Sequence, residues 1–205
     1  MTKTFLDKIY DGSVSMETEE LYDTWAVSYD SEIEENGYAT PRRCAEALAG
    51  LANDPAAPVL DLGCGTGLSG VALRAAGFTR IDGMDLSQGM LDKARARAGV
   101  YRDLIQVTAN DPLPFDPGAY THVLAAGVIS PDHAPADTMD AVLERLPPGG
   151  TLVFSLNDHA LSFPDFADGP ARIEAAGLAR ISFNERGPHL PGIGLEAVVI
   201  GLTRT

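Results

Sequence analysis

From Pro58 onward, short apolar runs alternate with segments whose apolar residues return every three or four positions. The run "PVLDL" (58–62) is apolar on both sides of any pleat, as for a strand covered on both faces. Behind it, "GLSGVALRAAG" (67–77) has helical periodicity and stops at Gly77. "RIDGMD" (80–85) predicts a second strand. "SQGMLDKARARAG" (87–99) predicts a helix capped by Ser87 and closed by Gly99. "LIQVTA" (104–109), "YTHVLAAGVI" (120–129) and "GTLVFSL" (150–156) predict strands three to five. The helix "APADTMDAVLERL" (134–146), ended by Pro147, precedes the fifth. "PDFADGPARIEAAG" (164–177) contains a helix, strongest after Pro170. Two further strands, 178–187 and 195–204, have no helix between them and are joined by "GPHLPGIG" (187–194).

Strand–helix alternation implies parallel strands with right-handed crossovers and helices on both faces. The expected fold is therefore α/β: a doubly wound, mostly parallel seven-stranded sheet with an antiparallel last strand. The first forty residues differ. "SMETEELYDTWAVSYDSEIEENGYAT" (15–40) is acidic and rich in aromatics, with Ser15 placed to cap a helix carrying Leu21, Tyr22, Trp25 and Val27. In "ATPRRCAEALAGLA" (39–52), Thr40 is the expected N-cap and Pro41 lies in the first turn. The length of 205 residues suits one domain, with 1–40 as a helical lid segment and 41–205 as the core.

The junction "VLDLGCGTGLSG" (59–70) places an acid, Asp61, at the end of the first strand and then crowds in Gly63, Gly65, Gly67 and Gly70. Glycine is costly in strands and helices. In a doubly wound sheet, however, ligands bind beyond the C-terminal strand ends. A glycine loop there admits a ligand that a β-carbon would exclude, and the next helix presents unpaired N–H groups. "GTGLSG" also fits the dinucleotide pattern G-x-G-x-x-G, with Asp85 closing the second strand where a ribose would lie. Taken alone, this allows an NAD-dependent reductase. Asp61 and Gly63 extend the motif upstream to D-x-G-x-G-x-G, and two further strands close the sheet.

"VLDLGCGTG" resembles the first motif of the class I, or Rossmann-like, S-adenosylmethionine-dependent methyltransferases. "GMDLSQGML" (83–91) is similar to their second motif, "NDPLPFDPGAYTHVLAAGV" (110–128) to their third and fourth segments, and "LERLPPGGTLVFS" (143–155) to the Pro-Gly-Gly turn before the fifth strand. "LYDTWAVSYDSEI" (21–33) with "GYATPRRCAEAL" (37–48) further resembles the Williams–Beuren-region methyltransferase-like group and its bacterial relatives.

The resemblance implies S-adenosyl-L-methionine as cofactor and assigns roles. Asp61 orders the loop and helps hold the ligand's ammonium group; its plainer role is a loop-capping turn. Gly63, Cys64, Gly65 and Gly67 form the loop, with Cys64 as small filler. Asp85 accepts both ribose hydroxyls. Leu86 and Met90 pack against adenine, although Met90 equally suits a core position. Where the family often has an adenine-contacting Asp, this chain has Thr108, followed by Ala109 and Asn110. A side chain of Thr108 or Asn110, or the N–H of Ala109, can serve adenine, and the three stay open. The carbonyl of Gly127 is a candidate acceptor for the ligand's amino group. Tyr29 matches the N-terminal Tyr that reaches the cofactor's carboxylate, whereas Tyr22 and Trp25 suit packing. Arg42 and Arg43 are candidates to pair with a carboxylate or simply solvated helix-start charges.

His133 in "SPDHAP" (130–135) and His159 in "SLNDHA" (155–160) follow strands four and five at the ligand end, and are the candidate general bases. His122 lies inside a strand and reads as structural. No metal motif appears. The methyl of a sulfonium is already activated, so alignment and water exclusion can supply most of the acceleration.

Composition narrows the partners. Fifteen Lys and Arg stand against 29 Asp and Glu, for a net charge of −14. Tight phosphate-backbone binding needs clustered cations, so no nucleic-acid partner is expected. No apolar stretch approaches the roughly 20 residues that span a bilayer, and the N-terminus has no long apolar core of a signal peptide. Cys44 and Cys64 are the two cysteines; reduced thiols and a cytoplasmic location fit them. The expected function is methyl transfer to a small-molecule acceptor by in-line displacement. The alternatives are the NAD-dependent reductase and a non-catalytic S-adenosylmethionine-binding protein. Neither the acceptor nor the oligomeric state can be read from the chain.

Overall fold

The computed structural model describes Trp25, residues 28–109 and residues 111–205. The helix expected from Ser15 onward lies outside these residues, Trp25 apart, as does Asn110. In chain order the elements are α1 (Tyr29–Glu35), α2 (Thr40–Leu51), β1 (Val59–Leu62), α3 (Leu68–Ala75), β2 (Ile81–Asp85), α4 (Gln88–Ala96), β3 (Leu104–Gln106) and β4 (His122–Ala125). Then follow α5 (Thr138–Arg145), β5 (Thr151–Asn157), α6 (Asp158–Leu161), α7 (Pro164–Ala167), α8 (Gly169–Ala175), β6 (Ala179–Leu190) and β7 (Leu195–Arg204).

The strands form one seven-stranded sheet in the order β3-β2-β1-β4-β5-β7-β6. β1 runs parallel to β2 and β4, β2 to β3, and β4 to β5. β7 is antiparallel to both β5 and β6. This is the expected mixed sheet. Alternating residues of each strand serve opposite faces. Val59, Ile81, Leu124, Val153 and Val199 pack with Cys44, Leu48 and Leu73 of α2 and α3 on one face. Leu60, Val123, Leu152 and Phe154 pack with Met139, Val142, Leu143 and Ile173 of α5 and α8 on the other.

Local differences from the sequence pattern have identifiable causes. Thr40 is the first residue of α2 rather than its cap, because its Oγ1 is 2.7 Å from His189 Nδ1. Ser87 does cap α4, accepting from the Met90 N–H, but the helix stops at Ala96 because Arg97 leaves helical geometry. β6 runs on through Leu190 and absorbs half of the expected connection, leaving a tight 3-10 turn at Pro191–Ile193. Arg43 fixes this extension: its guanidinium donates to the carbonyls of Glu185, Pro188 and Ala197. Among the described residues, no helix is long and apolar enough to cross a membrane.

Candidate functional site

The strand order reverses at β1, which lies between β2 and β4. Crossovers leave the sheet on opposite sides there, opening a crevice beyond the strand ends. The glycine junction sits in that crevice, and its glycines do different work. A β-carbon on Gly63 would lie 2.2 Å from Val128 Cγ2, so Gly63 lets the turn after β4 press against the turn after β1. One on Gly70 would meet the Tyr101 hydroxyl at 2.3 Å, and one on Gly67 the Arg97 and Tyr101 side chains at 3.1 Å. These three make room for protein. Gly65 is different: it has φ +53° and no heavy atom within 4 Å of the place its β-carbon would take. The place of its missing side chain is open space, on the turn that leaves β1. Cys64 is buried, with its sulfur against Gly83, and so acts as the expected filler.

Asp61 is fully buried. Its Oδ2 accepts from Ser69 Oγ at 2.7 Å and from the Tyr101 hydroxyl at 2.6 Å. Its Oδ1 is buried without a hydrogen-bond partner among the described residues. Burial pushes the carboxyl up from 3.8 to about 7, against the lowering effect of the Ser69 and Tyr101 hydrogen bonds. The same burial, next to Asp61, pushes the Tyr101 phenol far up, so it stays a donor. Asp85 Oδ2 accepts from the Gly65 N–H at 2.8 Å and Oδ1 from the Ser87 N–H at 3.0 Å. The acid expected on the ribose therefore also braces the glycine loop against β2.

The other expected residues distribute as follows. Leu86 is half-buried beside Asp85, while Met90 is buried to 1 % and serves the core. β3 ends earlier than its sequence suggests, so Thr108 and Ala109 are exposed in the turn beyond it. Gly127 lies in the turn after β4, its N–H donating to Ser155 Oγ at 2.9 Å. Its absent β-carbon leaves room for the Tyr38 hydroxyl, which would stand 2.6 Å away. Tyr29 packs edge-on against Trp25 with ring centres 4.6 Å apart, in a cluster with Ile33, Leu190 and Leu68. Arg42 pairs with Glu46 at the surface.

The two candidate bases have different surroundings. His133 is half-buried, with Nδ1 2.6 Å from Ser130 Oγ, and burial lowers its pKa against the raising effect of Asp132. His159 is exposed, with Nε2 3.2 Å from Asp132 Oδ2 and its ring edge-on to Phe163. Asp132 thus follows His159 in space though it precedes it by a helix and a strand in the chain. His122 is buried in β4 as expected of a structural residue.

Sequence reasoning missed Tyr101, Ser69, Thr66 and Arg97, all of which hold the glycine loop. The partners of Tyr101, Thr66 and Arg97 lie 31 to 67 residues along the chain, so no local pattern marks them, whereas Ser69 is only eight residues from Asp61. Among the described residues, no group of three or more His, Cys, Asp or Glu side chains gathers to hold a metal.

A switch-point crevice, an acid-headed glycine loop and an acid closing β2 on this sheet are the features expected of a class I S-adenosylmethionine-dependent methyltransferase. Residues 59–150 match the family described as "Methyltransferase domain". The chain is 34 % identical over 164 residues to human Methyltransferase-like protein 27, covering 77 % of this chain and 66 % of that one. It belongs to this methyltransferase class, and the NAD-dependent reductase reading is set aside. The chain spans between 38 % and 66 % of the length of the curated relatives it matches.

Solved structures share the fold. A TehB-like S-adenosylmethionine-dependent methyltransferase from Corynebacterium glutamicum superposes with a TM-score of 0.61 at 19 % identity, covering 90 % of this chain and 98 % of that one. Geranyl diphosphate C-methyltransferase from Streptomyces coelicolor, bound to S-adenosyl-L-homocysteine, gives 0.59 at 17 %, covering 78 % of this chain and 77 % of that one. The class uses S-adenosylmethionine, and this crevice fits it: Asp61 Oδ1 offers a buried acceptor without a partner among the described residues, and Gly65 offers open space.

Proposed function

We propose that the chain transfers a methyl group from S-adenosylmethionine to a small-molecule acceptor by in-line displacement. The single observation that carries this reading is Gly65 on the turn that leaves β1, held by Asp85 in a left-handed conformation with open space where its side chain would be. When bound, the cofactor supplies a sulfonium-activated methyl. The chain's part is to bind, orient and exclude water. Asp85 accepts from the ribose hydroxyls. Asp61 Oδ1 and the Gly127 carbonyl accept from the ammonium group. Tyr29 reaches the carboxylate, and Leu86 with the turn at Thr108 and Ala109 borders adenine.

The acceptor enters over the ends of β4 and β5. There His159, with Nε2 3.2 Å from Asp132 Oδ2, is the better placed base, because Asp132 orients its ring and leaves the other ring nitrogen to face an acceptor. His133 stands in reserve, its Nδ1 already committed to Ser130. The exposed Phe163 beside His159 offers an apolar wall. The high acidic content favours a neutral or cationic acceptor over a nucleic acid.

A metabolite screen that follows S-adenosylhomocysteine production tests the proposal. One or more small acceptors should drive cofactor turnover, and His159→Ala should lower that turnover without weakening cofactor binding. Cofactor binding with no turnover on any acceptor would instead identify a binding protein. Full activity in both His159→Ala and His133→Ala would remove the assigned bases.

A further inference from the structure

We propose that Asp30 and Arg97 form a clamp that positions the glycine loop, so that docking of α1 and binding of the cofactor strengthen each other. The inference rests on the reading of the crevice as the S-adenosylmethionine site. It concerns residues that neither the class motifs nor the comparisons assign.

Thr66 stands between Gly65 and Gly67 and is 1 % exposed. Both of its polar groups are taken. Its hydroxyl donates to Asp30 Oδ1 at 2.5 Å, and its carbonyl accepts from Arg97 Nε at 2.7 Å. Arg97 closes the ring by donating from Nη2 to Asp30 Oδ2 at 2.5 Å. Three hydrogen bonds thus join α1, the glycine turn and the C-terminal end of α4. The guanidinium uses two arms of its planar fork at once, a geometry a lysine ammonium cannot reproduce. The contact is unlike the surface pairs Arg42–Glu46 and Arg95–Asp92. Those link neighbouring turns of one helix, with each side chain more than half exposed. Asp30 and Arg97 are 67 residues apart, and the Arg97 side chain is 27 % exposed.

Other features give the clamp its reach. The missing β-carbon of Gly67 lets Arg97 Cδ approach to 3.1 Å, so the loop's own sequence makes room for the arm. On its apolar side, α1 contributes Ile33 to a cluster with Trp25 and Leu190, against which Leu68 packs. Leu68 is the first residue of α3, directly after the loop. The helix therefore grips the loop from both sides, through Asp30 at Thr66 and through the apolar cluster at Leu68. Gly65, the residue whose missing side chain leaves open space, lies beside Thr66 and is held from its other side by Asp85. A ligand that requires one arrangement of this turn favours the docked α1 that enforces it, and by linkage the docked α1 favours the ligand. Asp30 and Arg97 are positioning residues; neither need touch the cofactor.

The test uses the full chain, S-adenosylhomocysteine as probe, and Asp30→Asn, Arg97→Met and the double variant. Calorimetric titration gives affinity, thermal melting reports folding, and cleavage by a glutamate-specific protease after Glu32 to Glu35 reports docking of α1. We expect each single variant to bind about tenfold more weakly while melting within a few degrees of the parent. The double variant should bind no more weakly than the worse single one, because both remove the same ring. The probe should slow cleavage in the parent and not in the variants. A merely structural pair would shift melting and leave affinity unmoved. Parent-like affinity in Asp30→Asn beside a parent that binds overturns the clamp alone. A parent that takes up none of the probe overturns the reading of the crevice and the clamp with it.

Discussion

Replacing Gly65 with alanine separates a loop shaped for a ligand from a loop shaped only to turn. At φ +53° a β-carbon costs about 1 kcal/mol of backbone strain. Nothing lies within 4 Å of the new methyl, so no steric penalty adds to it. For a chain of 205 residues this amounts to a fall of about 2–4 °C in melting temperature. If the cofactor lies against Gly65, the methyl fills the space it needs, and overpacking of about 1–3 kcal/mol weakens binding about 5- to 150-fold.

Gly63→Ala is the control. It has the same left-handed demand, φ +65°, but its β-carbon would lie 2.2 Å from Val128 Cγ2. Strain and overpacking together reach about 2–4 kcal/mol, and melting falls by roughly 4–16 °C. Thermal melting and titration with S-adenosylhomocysteine read both variants. The expected pattern is a stable Gly65→Ala that has lost affinity and a Gly63→Ala that has lost stability. Parent-like affinity in Gly65→Ala would refute the assignment of open space to the ligand.

Further outcomes follow from the buried charges. Arg102 donates from Nε and Nη2 to the buried Asp82, which also accepts from Tyr120. Arg102→Ala leaves that carboxylate uncompensated, costs about 3 kcal/mol and lowers the melting point by about 6–12 °C; an unchanged melt would contradict it. Asp61, raised from 3.8 to about 7, contributes stability present below pH 3.8 and lost as pH rises through 7. An ammonium group prefers its ionised form, so affinity for S-adenosylhomocysteine should rise about tenfold from pH 6 to 8 and level off above. Asp61→Asn should show no such rise. His189, lowered from 6.5 to about 4 by burial, acts oppositely: its contribution is complete above pH 6.5 and is lost as pH falls toward 4. His189→Gln should reduce acid sensitivity of the melting point in that window, and an unchanged acid limb would count against this.

The sheet was legible because its signals are local. β1, β2 and β5 are apolar runs bounded by turn residues, and Ser87 caps α4 from within its own first turn. The ends of elements were less legible wherever a distant residue decides them. Thr40 looks like a cap, yet its hydroxyl faces His189, 149 residues away. β6 continues through Pro188 because Arg43, on α2, ties down its carbonyls. The site divides in the same way. Asp61, Gly65 and Asp85 stand out by spacing along one strand–turn–helix unit. Tyr101, which donates to Asp61 and fills the space over Gly70, is 40 residues from that carboxylate and carries no mark of its role. The glycine pattern was readable as a pattern, but its division into one residue beside open space and three admitting protein neighbours required the packing.

The most direct measurement is a crystal structure of the chain with S-adenosylhomocysteine. The nucleoside should lie beyond the C-terminal ends of β1 and β2, with both ribose hydroxyls within hydrogen-bonding distance of Asp85 and the amino acid end directed between Asp61 and Gly127. Density for the nucleoside elsewhere, or none in this crevice at saturating concentration, would contradict the account.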